Sequence, residues 1–348
     1  MSIEAFMAEQ GDIIAKTLAR TEAADFARSV SKSGPGGVSA YDRVLLVGSG
    51  SSLNALTIVR PWLQAALRRP VEVINPAVLL RDIEAVFGNP LVVILSQSGT
   101  SSTSIEAARI CRQRAWQIVV VTADPESPIG ALGLPMILLP IGDEPIGPKT
   151  KGFTASIAAC FSLAASLAGR DLPTLSSAAI AGALNASRAA VPALIGPEKT
   201  PVYIVITGSD RHFGVALEAS LKIAEIAGVP TAGFEPEELL HGRLHGTDAD
   251  SLVIMIVADE EERNLASHTA VIMAERGVKV VLLNLTGAST PFDWLQIDAE
   301  AVQPLDTILA SIPFQRLAVD LAQRRSMIPE AMTYPGLSKA LAIKTFTR

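Results

Sequence analysis

The stretch LVVILSQSGTSSTSIEAARICRQRAWQIVVVTAD (residues 91–124) decides the fold class. It opens with a run of Leu, Val and Ile, passes through a polar loop into a helical pattern, and returns to a second apolar run. Both runs are too continuous for an exposed antiparallel strand and are typical of buried parallel strands. A strand, a helix and a further strand in this order predict a doubly wound α/β fold.

Similar apolar runs lie on both sides of this unit. RVLLVG (43–48) and VEVIN (71–75) precede it, and MILLPI (136–141) follows it. The alternation of such runs with helical patterns predicts a parallel sheet with helices on both faces.

The order of elements then starts again. Four elements recur: YIVITGSD (203–210), LVIMIVADE (252–260), VVLLNLT (280–286) and the helical stretch 304–325, which answers 150–169. Gly208 falls 160 positions after Gly48, and Leu252 falls 161 positions after Leu91. Elements that recur at one offset indicate a duplicated domain. We therefore predict two tandem, doubly wound, parallel-sheet domains, each a flavodoxin-like three-layer α/β/α sandwich.

The domain bounds follow from this repeat. They are residues 1–30 for an N-terminal helical segment, 31–190 for the first domain, 201–326 for the second and 327–348 for a C-terminal tail. Pro192, Pro197 and Pro201 mark the expected joint between the two domains.

Composition excludes several classes of protein. A net charge of −6 and a pI near 5.4 argue against a nucleic-acid partner. No apolar run reaches the roughly 18 residues of a membrane span, so we expect no membrane. The amino-terminal residues lack the pattern of a signal peptide. Cys111 and Cys160 lie in apolar helical patterns, and we expect buried free thiols in a reducing cytoplasm.

Hydroxyl side chains crowd the loops after two predicted strands. GSGSS (48–52) follows one, and SQSGTSSTS (96–104), with seven hydroxyls in nine positions, follows the other. Ligands of parallel sheets bind beyond the carboxyl ends of strands, and helix N-termini favour anions. The alternative is that one Ser or Thr merely caps the following helix. One cap needs one residue, so we predict a phosphate monoester held by these loops.

Other phosphate and metal motifs are incomplete. Leu53 stands where a dinucleotide fingerprint needs its third glycine, and Asn75 stands where that motif has an acid. The chain has no G-x-x-x-x-G-K-[ST] motif, and its four histidines lack the HExxH spacing. The sequence therefore predicts neither a nucleotide cofactor nor a metal.

Glu218, Lys222 and Glu225 form one stripe of a predicted helix, at positions i, i+4 and i+7. A surface ladder of ion pairs is the alternative, and it would stabilise the helix by only ~0.5 kcal/mol. The flanking Leu, Ile and Ala residues indicate a buried helix, in which a charge needs a partner or a function.

Five ordered motifs carry a resemblance to a known family. They are Ser-Gln-Ser-Gly (96–99), Thr-Lys-Gly-Phe-Thr (150–154), the helix from Ala216 to Glu225, Glu-Leu-Leu-His-Gly (238–242) and a late lysine, Lys339. Together with the duplication they resemble the sugar isomerase (SIS) domain family, over nearly the whole chain. The form they most resemble is the isomerase half of glutamine–fructose-6-phosphate amidotransferase.

The resemblance implies roles for these residues. Glu225 would be the base that moves a proton between adjacent sugar carbons, with Lys222 as a cation for the developing charge. His241 would open the sugar ring from the neighbouring subunit, which implies a homodimer with shared active sites. Lys339 would form a Schiff base from a tail folded over the site, and Lys344 is the alternative lysine because Arg is missing after Pro335.

The resemblance also implies the substrate-binding set. Its members are Ser51, Ser52, Ser96, Gln97, Ser98, Ser101, Gly147 and Glu218. Two departures from the family pattern border the expected sugar site: Thr100 replaces an acid, and Pro148-Lys149 replace small residues.

Three functions remain open at this point. The chain enters the isomerase region within its first ~40 residues, so glutamine is not the expected source of ammonia. The first function is isomerising deamination of glucosamine 6-phosphate to fructose 6-phosphate and ammonia. The second is cleavage of a ketosamine 6-phosphate into sugar phosphate and amine. The third is a non-catalytic sugar-phosphate sensor, which the presence of Glu225 and His241 disfavours.

Overall fold

The computed structural model of the chain describes residues 2–30, 41–195 and 200–345. The elements up to the end of the first sheet and its covering helix are α1 (Ile3–Ala8), α2 (Gln10–Leu18), α3 (Glu22–Val30), β1 (Arg43–Val47), α4 (Ser51–Leu67), β2 (Val71–Ile74), α5 (Pro76–Arg81), β3 (Pro90–Leu95), α6 (Ser102–Gln113), β4 (Gln117–Thr122), β5 (Met136–Leu138) and α7 (Lys151–Ala168). The remaining elements are α8 (Ser177–Ile195), β6 (Tyr203–Thr207), α9 (Arg211–Ala227), β7 (Thr231–Phe234), α10 (Pro236–Leu240), β8 (Ser251–Val257), α11 (Glu260–Ala274), β9 (Lys279–Asn284), β10 (Asp293–Gln296), α12 (Asp306–Arg324) and α13 (Leu337–Ala340).

The strands form two five-stranded parallel sheets. The first has the order β2-β1-β3-β4-β5, and the second has the order β10-β9-β8-β6-β7. Read from its other edge, the second sheet has the same order as the first, with β6 in the place of β1. The predicted fold class is therefore confirmed, including the duplication and the flavodoxin-like strand order.

Burial explains why the strands have continuous apolar sequences. Every residue of β3 and every residue of β8 is buried, because helices cover both faces of a parallel sheet. In the first sheet, side chains of β3 and β4 pack on α6 through Ile105, Ala108 and Cys111. In the second, β8 and β9 pack on α11 through Ala266, Ala270 and Met273.

The turn after the first strand of each sheet shows the duplication at the level of the backbone. Gly50 has φ 56° and ψ −132°, and Asp210, 160 positions later, has φ 51° and ψ −121°. Glycine adopts this left-handed φ without steric cost, whereas aspartate does so at a cost of order 1 kcal/mol. Both residues precede the first residue of a long helix, α4 or α9.

Contacts between residues divide the chain into two units. One contains the second sheet and comprises residues 1–11, 145–150 and 173–335; the other contains the first sheet and comprises residues 12–144, 151–172 and 336–348. This division differs from the bounds expected from the sequence, because α8 packs on α12 and the last residues pack with the first sheet. Pro192 lies inside α8, and Pro197 lies outside the described residues.

Within the part of the chain that the structure describes, two helices have the length and mean hydropathy of a membrane span, whereas the sequence predicted none. They are α7 and α8. In α7, 78% of the window that meets these criteria is buried inside the protein, compared with 39% in α8. Core helices meet the same criteria, so these two helices are weak evidence for a membrane.

Both cysteines are free and buried, as expected from the sequence. Burial raises the pKa of the Cys111 thiol to about 12, and it does the same for Cys160. Thiols held in the neutral form are poor nucleophiles, so neither cysteine has the character of a reactive group.

A buried ion-pair cluster ties the start of α9 to the start of α12. The Asp306 side chain is only 1% exposed and accepts hydrogen bonds from Arg211, through Nε at 3.0 Å and Nη2 at 2.8 Å. His212 Nε2 lies 3.1 Å from the same carboxylate. Burial raises the pKa of Asp306, but the hydrogen bonds from His212 and Arg211 outweigh it and lower the pKa to about 2.

We predict that Asp306→Asn lowers the free energy of unfolding by about 3 kcal/mol at pH 7, because it removes the buried carboxylate that pairs with Arg211 and His212. A denaturant titration measures this loss. The folded-state pKa lies below the unfolded value, so the contribution is present above pH about 4 and is lost as the pH falls towards 2.

The matched control is Asp25→Asn, which breaks an ion pair with Arg28 whose side chains are 60% and 70% exposed. It should cost less than about 0.5 kcal/mol. Equal losses in the two variants, or a loss in Asp306→Asn that does not shrink in acid, would contradict the assignment.

Candidate functional site

The serine loop, residues 96–104, connects β3 to α6. Its backbone is fixed from behind by residues that follow β4: Ala123 N–H donates to the Gln97 carbonyl at 2.9 Å, and Ile129 N–H donates to the Gly99 carbonyl at 3.1 Å. Gly99 has φ 65°, and a Cβ at this position would collide with the side chain of Ser127. Glycine is therefore required at this turn.

The hydroxyls of the serine loop do not cap the helix in the usual way. Ser101 is the N-cap residue of α6, and its side chain makes no capping hydrogen bond. Instead, the Ser104 hydroxyl donates to the Ser101 hydroxyl at 3.0 Å, and Ser98 and Thr100 share a hydrogen bond of 2.8 Å between their hydroxyls. The capping alternative is thus not realised at Ser101, and the loop presents linked hydroxyls at a helix N-terminus.

The second hydroxyl-bearing loop lies at the same edge of the first sheet. Ser51 and Ser52 are the first two residues of α4, directly after β1, and Gly50 at its N-cap has no side chain to cap the helix. Strands β1 and β3 are adjacent and parallel, so the loops that follow them lie next to each other. This is the point in the strand order at which parallel α/β folds bind ligands.

Two buried charged residues, Glu144 and Lys151, lie at or beside the start of α7, and neither was among the site residues predicted from the sequence. The Glu144 carboxylate accepts a hydrogen bond of 3.0 Å from the N–H of Gly152, near the start of α7. A Cβ on Gly152 would collide with the side chains of Gln97 and Glu144, so these groups are in close contact. Lys151 is 3% exposed at the first position of α7. The Thr-Lys-x-Phe-Thr motif, which contains Lys151, was the sequence signal from which this residue could have been predicted.

The unit that contains the second sheet carries a buried cluster of charges on α9. Lys222 Nζ lies 2.5 Å from Glu225 and 3.5 Å from Glu218. The side chains of Lys222 and Glu218 are each 4% exposed, whereas that of Glu225 is 25% exposed. Burial lowers the pKa of Lys222, but the two carboxylates outweigh it and raise the pKa above its ordinary value. The alternative of a surface ladder is therefore wrong for this stripe, and its lysine stays charged.

The end of α9 next to Glu225 is fastened to the segment that follows α12. Thr333 N–H donates to the Glu225 carbonyl at 2.9 Å. The preceding residue, Met332, has φ 62°, an unfavourable backbone conformation for a residue with a Cβ. A Cβ on Gly147 would collide with the sulfur of Met332. Gly147, which the resemblance placed in the sugar site, thus leaves room for this methionine.

His241 ends α10 and is exposed. Its Nε2 lies 2.8 Å from Glu237 Oε1, and the side chains of both residues are more than 70% exposed. The imidazole is thus accessible from solvent, and its expected role in the active site of a second subunit stays a prediction.

The tail places its two lysines in the unit that contains the serine loop. Lys339 lies in α13 and is exposed. Lys344 is also exposed, and its backbone pairs with that of Ser101 in an isolated antiparallel bridge. The structure does not choose between the two lysines by burial.

The corresponding edge of the second sheet differs from the first. The loop after β8 is acidic, with Asp259 as the N-cap of α11 followed by three glutamates. Asp259 Oδ1 accepts from the N–H of Glu262 at 2.9 Å, and Glu262 Oε2 accepts from the N–H of Ala258 at 2.7 Å. Carboxylates of the chain thus occupy the donors that an anion would use. Among the described residues, the loop after β3 thus has hydroxyls where the loop after β8 has carboxylates.

The residues that the structure describes contain no cluster of metal-ligating side chains. No group of three or more His, Cys, Asp or Glu side chains in these ranges could hold a metal ion.

Comparison with known proteins identifies relatives over most of the chain. The profile of the SIS domain family matches residues 39–166 and 201–291, more than half of the chain. A glutamine–fructose-6-phosphate aminotransferase (isomerizing) from Listeria innocua is 26% identical over 299 residues, which are 82% of this chain and 49% of the relative. The chain thus spans about half the length of this curated relative.

Two solved structures share the fold. Glucosamine-6-phosphate deaminase from Thermotoga maritima matches with a TM-score of 0.75 and 20% identity, over 95% of this chain and 97% of that chain. Tagatose-6-phosphate ketose/aldose isomerase from Escherichia coli matches with a TM-score of 0.77 and 16% identity, over 94% of each chain.

We predict one phosphate monoester per chain, because the second sheet fills its own anion site with carboxylates. Isothermal titration calorimetry with inorganic phosphate should give a stoichiometry near one. Ser98→Ala should weaken binding by about tenfold or more, since hydrogen bonds to charged groups contribute about 1.5–3 kcal/mol.

The control is Ser209→Ala, in the turn after β6, which should leave the affinity unchanged. A second site of similar affinity, or a loss of binding in Ser209→Ala, would contradict this reading of the two edges.

Proposed function

Because the chain belongs to the SIS domain family, we propose that it is a phosphosugar isomerase-type enzyme that acts on an amino-sugar 6-phosphate. The favoured reaction is the isomerising deamination of glucosamine 6-phosphate to fructose 6-phosphate and ammonia. The observation that carries the proposal is the α9 cluster, in which Glu225 alone of two carboxylates beside Lys222 remains partly exposed.

The two hydroxyl loops supply the binding part of the proposed reaction. Neutral donors from Ser51, Ser52, Ser96 and Ser98, with Gln97 and Ser101, would hold the 6-phosphate at the edge of the first sheet. Binding energy at the phosphate, remote from C1 and C2, would orient the open-chain sugar for reaction.

Glu225 would supply the proton transfer. As base, it would remove the proton from C2 of the open-chain aldose, giving a 1,2-enolamine, and then return the proton to C1. The product carries a C2=N bond, which water hydrolyses to the ketone with release of ammonia. Proton transfer by a positioned side chain contributes about 10²–10⁴-fold to the rate.

Lys222 and Glu218 would set the charge around that base. Lys222 is buried and cationic, so it would stabilise negative charge that develops on the sugar oxygens. Glu218 is as buried as Lys222 and lies 3.5 Å from its Nζ, so it adds a second negative charge beside the lysine that contacts Glu225.

A ketosamine 6-phosphate deglycase is the second candidate. There the same base would move a proton from C1 to C2, and hydrolysis would release the amine from C1. Thr100, where the family has an acid, and Pro148-Lys149, where it has small residues, support a substrate other than that of the synthases. Cytoplasmic location also stays a prediction.

A substrate panel tests the proposal. Purified protein would receive glucosamine 6-phosphate, its N-acetyl form or a fructosyl-amino-acid 6-phosphate, with release of ammonia and hexose phosphate measured. We expect ammonia and fructose 6-phosphate from the first compound. Turnover of the third alone would favour the deglycase, and tight binding without turnover of any would favour the sensor.

Two variants accompany this panel: Glu225→Gln tests the proposed base, and Glu275→Gln is its matched control. Glu225→Gln should lower kcat by about 10³-fold while retaining phosphate binding, as expected for loss of a general base. Glu275 ends α11 on the surface, with a side chain 74% exposed, and its variant should match the wild type.

We also propose that two chains share each active site, with His241 acting in the site of its partner. Mixed dimers of the inactive variants His241→Ala and Glu225→Gln then contain one intact site. Random exchange of subunits should restore about a quarter of wild-type activity, since half of the dimers are mixed. No activity in proven mixed dimers would argue against the shared site.

A further inference from the structure

The end of the tail pairs with the serine loop along its backbone. Lys344 and Ser101 form the antiparallel bridge, and Thr345 N–H donates to the carbonyl of Thr100 at 2.7 Å. This is the shortest of the backbone contacts between the tail and the loop. It holds Thr100, the first residue after Gly99.

A second hydrogen bond and a hydroxyl contact complete the pairing. Ser102 N–H, at the first position of α6, donates to the carbonyl of Ile343 at 3.3 Å. The hydroxyls of Ser102 and Thr345 lie 3.2 Å apart. The tail therefore fixes the backbone of three consecutive loop residues, 100–102, in the unit that contains the first sheet.

Thr100 connects the paired backbone to Ser98, one of the residues predicted to bind the phosphate. Its hydroxyl shares a hydrogen bond of 2.8 Å with the hydroxyl of Ser98, which is exposed. An exposed serine hydroxyl rotates freely unless a neighbour holds it. Thr345 holds the backbone of Thr100, and Thr100 in turn holds the Ser98 hydroxyl.

We propose that Thr345 is a positioning residue for the phosphate site, acting through Thr100 on Ser98. The inference rests on the proposed role of the serine loop as the phosphate-binding element. Ordering the loop before the ligand arrives removes an entropic cost from binding. The consequence is an affinity effect at the phosphate end of the substrate, with little effect on proton transfer.

The reverse effect follows from thermodynamic reciprocity. If the docked tail strengthens phosphate binding, phosphate strengthens docking of the tail by the same factor. Trypsin cleaves after Lys344, which lies within the pairing. Inorganic phosphate should therefore slow this cleavage in the wild type and should not slow it in Ser98→Ala.

The test removes each link of the chain of hydrogen bonds in turn. Thr345→Pro deletes the N–H that Thr100 accepts, and Thr100→Val deletes the hydroxyl that Ser98 contacts while keeping the carbonyl. Calorimetry with inorganic phosphate should show a loss of affinity of about fivefold to tenfold for each variant, as for one net hydrogen bond. The double variant should lose no more than about twofold beyond either single variant, because both break one pathway.

Kinetics and a conservative variant separate positioning from general damage. Thr345→Pro should raise KM for the phosphorylated substrate by about tenfold with kcat within about twofold, the signature of lost uniform binding. Thr345→Ala keeps the donor and should restore the affinity lost in Thr345→Pro.

The outcomes distinguish this inference from the proposed function. If the wild type binds phosphate, Ser98→Ala weakens that binding, and Thr345→Pro has no effect, the positioning role is wrong and the phosphate site stands. Additive losses in the double variant would also overturn it. If the wild type binds neither phosphate nor sugar phosphate, the proposed function fails, and the inference fails with it.

Discussion

The parallel pairing of β1 with β3 is the constraint on which the phosphate half of the candidate site depends. The register runs from Arg43 opposite Pro90 to Val47 opposite Ile94, so the two strands end together. A short turn connects the end of β1 to α4, and another connects the end of β3 to α6. Six of the predicted binding residues therefore meet at one edge, although the loops that carry them are more than 40 positions apart in the sequence. A shift in this register would separate the loops while leaving each motif intact.

The sequence predicted the features that arise from local chemistry. Continuous runs of Val, Ile and Leu identified the buried parallel strands, and the recurrence of Gly208 after Gly48 identified the duplication. It did not predict that Asp306 pairs with Arg211, because partners 95 positions apart leave no periodic signal. The burial of Glu144 behind Gln97 and the pairing of Thr345 with the serine loop were missed for the same reason.

The α9 cluster contains two like carboxylates that differ in burial. Glu218 and Glu225 both lie beside Lys222, but only Glu225 has a side chain that remains a quarter exposed. A buried lysine is stable as a cation only with compensating charge, and both carboxylates lie within 3.5 Å of Lys222 Nζ. The spacing i, i+4, i+7 places all three residues on one stripe, but it does not reveal that Glu218 and Lys222 are more deeply buried than Glu225.

The two duplicated sheets share the same strand order but differ in the side chains of the loops at their edges. The turn at Asp210 keeps the left-handed conformation of the turn at Gly50, even though aspartate pays a steric cost there. The loops after β3 and β8 occupy equivalent places, yet one ends in linked hydroxyls and the other in a reciprocal carboxylate cap. An anion is favoured by the first arrangement and repelled by the second. In the second copy, the helix that follows the first strand carries Glu218, Lys222 and Glu225, so equivalent elements of the two copies present different polar and charged groups.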